Sequence, residues 1–267
     1  MNQFSLKDKV AIVTGALGLL GLNHCEALAE AGASVIITDL DEQACQDFAA
    51  KLPTRSIGMG LDVRRKDSVK ATLEKVLAEF KKVNILVNNA AINDMFETPG
   101  LAIENSKFEN YPLEIWQKFL DINITGVFLC SQIIGSHMAN SGGGSIINIA
   151  STYGIVAPDQ SLYRDKNGKQ KFYKSPAYPT TKGAILAFTR FLAAYWGNKS
   201  VRVNAISPGG IENQQDDFFV KEYAKKTPLD RMAKPTDCKG ALVFLASDAS
   251  DYMTGANLIV DGGWTIW

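Results

Sequence analysis

Val10-Ala11-Ile12-Val13-Thr14-Gly15-Ala16-Leu17-Gly18-Leu19-Leu20-Gly21 is the stretch from which the rest of this chain can be read. Five residues rich in Val and Ile predict a strand covered on both faces. The glycines then predict a tight turn, and an amphipathic helix is expected at about 18–31. Glycines at that junction let backbone N–H groups approach a pyrophosphate, and the helix N-terminus favours its negative charge. A glycine triplet by itself is a weak signal. It gains weight from Asp39, which closes the next apolar run and can accept hydrogen bonds from adenosine ribose hydroxyls. The same carboxylate would repel a 2′-phosphate, and neither the turn nor the residues just after Asp39 include Arg or Lys. NAD is therefore expected in preference to NADP. The expected cofactor contacts begin with Gly15, Leu17, Gly18, Leu19, Leu20 and Gly21, and continue at Asp39 and Leu40. Asp39 could instead cap the following helix, a role Asp41 fills better.

Outward from this unit the same alternation repeats. Strands are predicted at Val10–Thr14, Ser34–Asp39, Ser56–Leu61, Ile85–Asn89, Ser145–Ile149, Val201–Ile206 and Leu258–Val260. Helices are predicted at about 18–31, 41–52, 67–81, 114–140, 179–197 and 236–247. Gly32 after the first helix, Pro53 after the second and Pro179 at the start of the fifth fit those boundaries. Such a pattern, joined by right-handed crossovers, predicts an α/β doubly wound parallel sheet of seven strands with helices on both faces. With no repeat, low-complexity tract or linker, residues 1–267 are expected to form a single domain. Two stretches break the rhythm: a polar loop at Met95–Tyr111 and an insert at about 155–177. Within the insert, Asn167-Gly168 between β-compatible flanks predicts a type I′ hairpin. Both follow the carboxyl ends of strands, where open α/β sheets bind ligands, so each is either a substrate wall or an ordinary surface insertion. The insert carries Arg164, Lys166, Lys169, Lys171 and Lys174 against Asp159 and Asp165. Either its base lines the cleft and favours an anionic substrate, or its lysines only protect an exposed edge.

Tyr178 and Lys182 lie one helical turn apart, so both project from one face. A tyrosine titrates near 10, and lowering it by roughly three units requires about 4 kcal/mol of interaction favouring the phenolate. A neighbouring ammonium can supply that. Alone, the pair could equally be chance on a solvated face.

Composition narrows the function. Lys+Arg and Asp+Glu are balanced at 28 each, which argues against nucleic acid or an anionic membrane as partner. Cys25, Cys45, Cys130 and Cys238 are scattered, without metal-ligand spacing, and predict reduced core thiols. With His24 and His137 the only histidines, no metal site is expected. No apolar run is expected to reach membrane length, because Arg190 interrupts Ile185–Trp196. A first strand near Lys9 leaves no room for a signal peptide, and a soluble, cytoplasmic protein is expected.

Taken in order, the glycine turn, Asp62, Asn88-Asn89-Ala90, Asn123, Ser151, Tyr178/Lys182 and Pro208-Gly209 make the chain resemble the classical short-chain dehydrogenases/reductases. The resemblance runs from about Leu6 to the C-terminus, through Thr254-Gly255 and Asp261-Gly262-Gly263. It implies a single Rossmann-type domain and NAD(H)-dependent oxidoreduction of a secondary alcohol or ketone. It further implies that Asp62 and Val63 bracket the adenine, that Asn89, Ala90 and Ala91 lie near the cofactor ribose, and that Pro208, Gly209 and Ile211 hold the carboxamide. Tyr178 would exchange a proton with substrate, Lys182 would stabilise the phenolate and bond the nicotinamide ribose, Ser151 would orient the substrate oxygen, and Asn123 would hold a water behind the lysine. Ser151 could instead cap a turn, and Asn123 pack inside its helix. The chain departs from the family in four ways. Its glycines are spaced three and three, Ala91 stands for a usual glycine, Asn213 for a threonine, and the insert separates Ser151 from Tyr178.

The chain is similar, more loosely, to sugar, polyol and gluconate-type dehydrogenases and to flagellin-modification or surface-sugar dehydrogenases. Residues 210–232 are expected to form a lid over substrate. An NAD-retaining epimerase or dehydratase, suggested by the glycine spacing, and a non-catalytic dinucleotide-binding protein remain as alternatives. The apolar helices at 114–140 and 179–197 and the tail Trp264-Thr265-Ile266-Trp267 offer surfaces for self-association, and the family implies dimers and a tetramer.

Overall fold

The computed structural model describes residues 3–93 and 102–267. Seven parallel strands form one sheet in the order β3-β2-β1-β4-β5-β6-β7. They are β1 (Val10–Thr14), β2 (Ser34–Asp39), β3 (Ile57–Gly60), β4 (Ile85–Asn88), β5 (Gly144–Ile149), β6 (Val201–Pro208) and β7 (Asn257–Val260). The period of two in the strands sorts the core. Ala11, Val13, Val35, Ile37, Ile85 and Val87 point to one face, while Val10, Ile12, Ile36 and Leu86 point to the other. On the first face the strands pack against α1 (Leu19–Glu30), α2 (Glu42–Ala49) and α7 (Lys239–Ala246). On the second they meet α3 (Lys66–Phe80), α4 (Leu113–Asn140) and α5 (Ala177–Trp196). Helix α6 (Asp217–Ala224) lies within residues 210–232, the stretch between β6 and α7. The strand order reverses between β1 and β4, which opens a crevice at the carboxyl edge of the sheet.

Several boundaries shift for local reasons. Helix α5 starts at Ala177, so Pro179 falls third rather than first. It is tolerated because the first four helical N–H groups have no intrahelical acceptor. The hairpin in the insert is not type I′, which requires positive φ at both central residues. Among the described residues Gly168 has φ 80°, but Asn167 is not in the left-handed region. Asp165 N–H bonds Lys169 O at 2.8 Å, closing a three-residue loop over Lys166–Gly168. The Asp165 carboxylate accepts from Asn167 N and Lys169 N at 2.9 and 3.0 Å. Of the polar loop expected at Met95–Tyr111, residues 95–101 lie outside the described residues. The remainder forms short helical turns at Ala102–Ser106 and Phe108–Asn110. Finally, α4 is long and apolar enough to cross a membrane, contrary to the expectation from Ile185–Trp196. Half of its most apolar window is buried inside the fold, which is the pattern of a core helix.

Candidate active site

One cavity of about 1510 Å³ runs along the carboxyl edge of the sheet, from the β2–β3 end to the insert and residues 210–232. At its first end the glycine turn is packed against β4. Gly15 has φ 59°, and a Cβ there would sit 2.6 Å from Ala90 Cα. A Cβ on Gly21 would land on Gly15 O and 2.7 Å from Ala16 Cα, so that glycine lets α1 close on the turn. Gly18 differs. Its Cβ would meet only Gly15 O, at 3.3 Å, and the residue lines the cavity. The room it leaves belongs to the cleft, where a phosphate group would lie. Helix α1 has no side-chain cap and no acidic residue in its first turn, so its leading N–H groups suit an anion.

Neighbouring groups brace this cradle. Thr14 Oγ1 accepts from Asn89 N and Ala90 N at 3.1 and 3.0 Å. Asn89 Nδ2 donates to Thr14 O and Gly15 O at 3.0 and 2.7 Å. Asp39 accepts from Leu17 N at 3.0 Å and Leu40 N at 2.8 Å, so its carboxylate holds the turn and faces the cavity. Asp41, not Asp39, caps α2, accepting from Ala44 N at 3.0 Å. Asp62 takes a bidentate pair from Arg64 at 2.9 and 2.7 Å, and the Arg64 hydrogen bond holds its carboxyl below the ordinary range. Val63 lies against Gly126, where a Cβ would be 2.7 Å from its Cγ2.

In the middle of the cavity stand Ser151, Tyr178 and Lys182. Lys182 is 4% exposed and donates to Ile149 O at 2.7 Å, with its ammonium 5.7 Å from the centre of the Tyr178 ring. Burial lowers its pKa to about 8, so it is still mostly protonated at pH 7. Ser151 follows β5 and accepts from Tyr153 N at 3.2 Å, which makes it a turn cap as well as a cavity residue. Gly154 allows that turn to rest on α5, since a Cβ would be 2.7 Å from Lys182 C.

Asn123 lies in a stretch of wider, π-type turns at Leu120–Gly126 within α4. Its amide bonds Ile92 twice, accepting from N at 2.9 Å and donating to O at 3.1 Å, and donates to Thr181 Oγ1 at 3.2 Å. It thus ties the loop after β4 to α5. Of the residues expected to bind cofactor or catalyse, Leu17, Gly21 and Asn123 stand behind the cavity wall, and the others line it. Leu17 packs into the core, leaving its N–H as the contact that matters.

At the far end Pro208 and Gly209 close β6, with Gly209 N bonded to Val260 O at 2.9 Å. Ile211 and Asn213 line the same wall. Tyr223 of α6 accepts from Gly210 N at 2.6 Å and stacks on Trp264 at 4.2 Å. Sequence reading missed the aromatic wall opposite. Tyr163 packs on Phe172 and Phe219 at 5.0 and 5.8 Å, and its hydroxyl meets that of Tyr153 at 3.0 Å. These residues come from three separated segments, so no periodicity could have flagged them. Lys174, noted only as one of the insert's bases, is buried beside Tyr178.

The donor set and the cradle fit a dinucleotide. A family profile described as enoyl-(acyl carrier protein) reductase matches residues 15–265. The chain is 36% identical to the NAD-dependent glycerol dehydrogenase of Listeria innocua, over 99% of this chain and 97% of that one. It is 34% identical to the D-threitol dehydrogenase of Mycolicibacterium smegmatis, over 98% and 95%. It superposes on a gluconate 5-dehydrogenase from Burkholderia cenocepacia, solved with NADP and tartrate, with a TM-score of 0.84 at 29% identity, covering 100% of this chain and 98% of that one.

Proposed function

The chain belongs to the classical short-chain dehydrogenase/reductase family, and we propose that it oxidises a secondary alcohol of a sugar, sugar acid or polyol with NAD, or reduces the corresponding ketone. The observation that carries the reading is the buried Lys182, fixed on Ile149 O beside Tyr178, in one cavity with Ser151 and the glycine turn. A nicotinamide dinucleotide, when bound, supplies the hydride acceptor or donor. The glycine turn and the N-terminus of α1 would hold its pyrophosphate, Asp39 its adenosine ribose, Asp62 and Val63 the adenine edge, and Pro208, Gly209 and Ile211 the carboxamide.

The protein's own groups handle the proton. In oxidation the Tyr178 phenolate takes the substrate hydroxyl proton at Oη; in reduction the phenol returns it to the forming alkoxide. Lys182, with its ammonium 5.7 Å from the centre of the Tyr178 ring, places a cation beside the phenol and so favours the phenolate. Ser151 donates to the substrate oxygen as negative charge develops there. Asn123 keeps the β4 loop and α5 in register, so that Tyr178 and the cofactor site share one geometry. The preference for NAD over NADP is supported by Asp39 facing the cleft with its charge exposed to a 2′-substituent.

We also propose that residues 155–177 wall the substrate end and residues 210–232 close over it. The chain would act as a homotetramer through the faces of α4 and α5. That assembly is supported by exposed Phe128, Phe191 and Tyr195 in a row with Phe188.

The test is an NADH-linked screen of polyols, sugar acids and secondary alcohols with wild type and Tyr178→Phe together. General acid–base catalysis contributes about 10²–10⁴-fold, so Tyr178→Phe is expected to lose that much in kcat while still binding the dinucleotide. Equal turnover by the two proteins would overturn the reading.

A further inference from the structure

Lys174 is 8% exposed and its ammonium lies 5.0 Å from the centre of the Tyr178 ring, on the cavity wall, donating to Asn93 Oδ1. Burying an ammonium is costly even when it is partnered, and no step of the proton chemistry above uses this one. The position is also built. Gln160 clamps the Lys174 backbone from both sides, accepting from its N at 2.8 Å and donating to its O at 3.1 Å. Gln170 in turn donates to Gln160 O and Phe172 O at 2.8 and 2.7 Å.

The surrounding charges add to it. Arg164 and Lys169, on the hairpin of the same insert, line the same cavity, and among the described residues neither has a carboxylate partner. Among the described residues, the carboxylates of the cavity and the insert are engaged elsewhere. Asp159 pairs with Lys226 at 2.6 Å, and Asp216 with Lys171 at 3.0 Å. Asp165 turns into its own loop, accepting two backbone N–H groups. Asp39 and Asp62 sit at the adenosine end, bound to the glycine turn and to Arg64. Among the described residues, Arg164 and Lys169 therefore leave positive charge at the substrate end, beside the low-dielectric wall of Tyr153, Tyr163, Phe172 and Phe219, which strengthens its field.

We infer that the insert forms a cationic subsite, with Lys174 inside and Arg164 and Lys169 at the rim, that selects substrates carrying an oxyanion away from the reacting carbinol. The subsite deepens the dehydrogenase reading and rests on it. Lysine and arginine only donate, so they suit a group that only accepts, a carboxylate or a phosphate, better than a hydroxyl that also needs an acceptor. The substrate then extends from Tyr178 towards the hairpin.

Two measurements test this, one of them independent of turnover. In the first, kcat/KM is compared for sorbitol, gluconate and sorbitol 6-phosphate. The charged members are expected to exceed sorbitol at least tenfold, and Arg164→Gln/Lys169→Gln is expected to raise their KM tenfold or more at low salt. Lys166→Gln, which removes one positive charge from a hairpin residue off the cavity, serves as the control against Arg164→Gln and Lys169→Gln measured singly. Whether gluconate or the phosphate leads assigns the oxyanion. In the second, the NAD-saturated protein is titrated with tartrate or erythritol while its melting temperature is followed. Tartrate is expected to raise it in wild type, less as NaCl increases, and not in the rim variant. Lys174→Met should lose the tartrate response as well; because that residue is buried, the rim variant decides if it misfolds. Equal efficiency with sorbitol, or equal shifts from tartrate and erythritol, overturns the subsite and leaves the dehydrogenase standing. If none of the three reduces NAD, the substrate reading fails instead, and the tartrate titration still decides the subsite.

Discussion

His24 is fully buried on α1, and neither imidazole nitrogen has a hydrogen-bond partner. Burial pushes its pKa down to about 4, and the nearby Asn89 side chain offsets part of this in the opposite direction. The unfolded chain, with the ordinary value of 6.5, takes up a proton first as pH falls. Stability contributed by keeping His24 neutral is therefore complete above pH 6.5 and declines towards pH 4. At pH 5 the loss is about 2 kcal/mol relative to pH 7. Urea midpoints measured at both pH values should show wild type falling by about that much more than His24→Leu; parallel falls would remove histidine from the account. Asp39 carries a second prediction at this scale. Asp39→Asn keeps an acceptor for Leu17 N–H but removes the charge that, on the proposed reading, would repel a 2′-phosphate. The ratio of kcat/KM for NAD over NADP should drop at least tenfold. An unchanged ratio would mean that cofactor choice is made elsewhere.

At the level of elements, the glycine turn separates two jobs that a motif merges. Gly21 serves the fold, because a methyl there would collide with Gly15 O and Ala16. Gly18 would bring a Cβ against one backbone atom only, Gly15 O at 3.3 Å, a contact that a few tenths of an ångström of movement relieves, and it lines the cavity. Gly18→Ala is expected to melt within about 2 °C of wild type without cofactor, yet to lose most of the stabilisation that saturating NAD gives. Gly21→Ala should cost several degrees even without cofactor. Thermal scans with and without NAD check both, and a destabilised Gly18→Ala apoprotein would reverse the assignment. The insert and residues 210–232 form a second element-scale unit. Leu162 and Tyr163 from the insert, Tyr223 and Met232 from residues 210–232, and Trp264 from the tail share one buried cluster. The ion pairs Lys171–Asp216 and Lys226–Asp159 cross the same boundary, but they are half-exposed and each is worth at most about 1 kcal/mol. The apolar cluster holds the two segments together.

For the whole molecule, the outer faces of α4 and α5 are the feature a monomer does not explain. Phe188, Phe191 and Tyr195 stack in a row at 6.3 and 5.8 Å, and Phe128 meets Phe188 across the helices at 6.4 Å. Beside them lies an apolar groove of about 220 Å³ lined by Ile124, Phe128, Ile185 and Phe188. A second copy laid on this face would bury aromatic surface that water now touches. Light scattering should give a mass near four times 29.1 kDa, and Phe191→Glu should yield smaller species. A wild-type mass of 29.1 kDa would refute the assembly.

The sequence by itself determined the seven-strand alternation, the covering of the sheet by helices on both faces and the glycine turn that closes on α1. Each rests on local chemistry: Val/Ile runs, a glycine turn, and Tyr178 and Lys182 one turn apart. It also placed Asp41 as the cap of α2. It misjudged the Asn167-Gly168 turn, where the Asp165 side chain holds the loop in a form the dipeptide alone does not specify. It overlooked the apolar length of α4. The tertiary structure alone decided what faces the cavity: Lys174 beside Tyr178, Asn123 bonded to Ile92, and the wall built from Tyr153, Tyr163 and Phe219. Asn123 and Ile92, and Tyr163 and Phe219, are far apart in the chain, and only packing on a common sheet brings them within reach. Lys174 is near Tyr178 in the chain but precedes α5, so no helical spacing places it there.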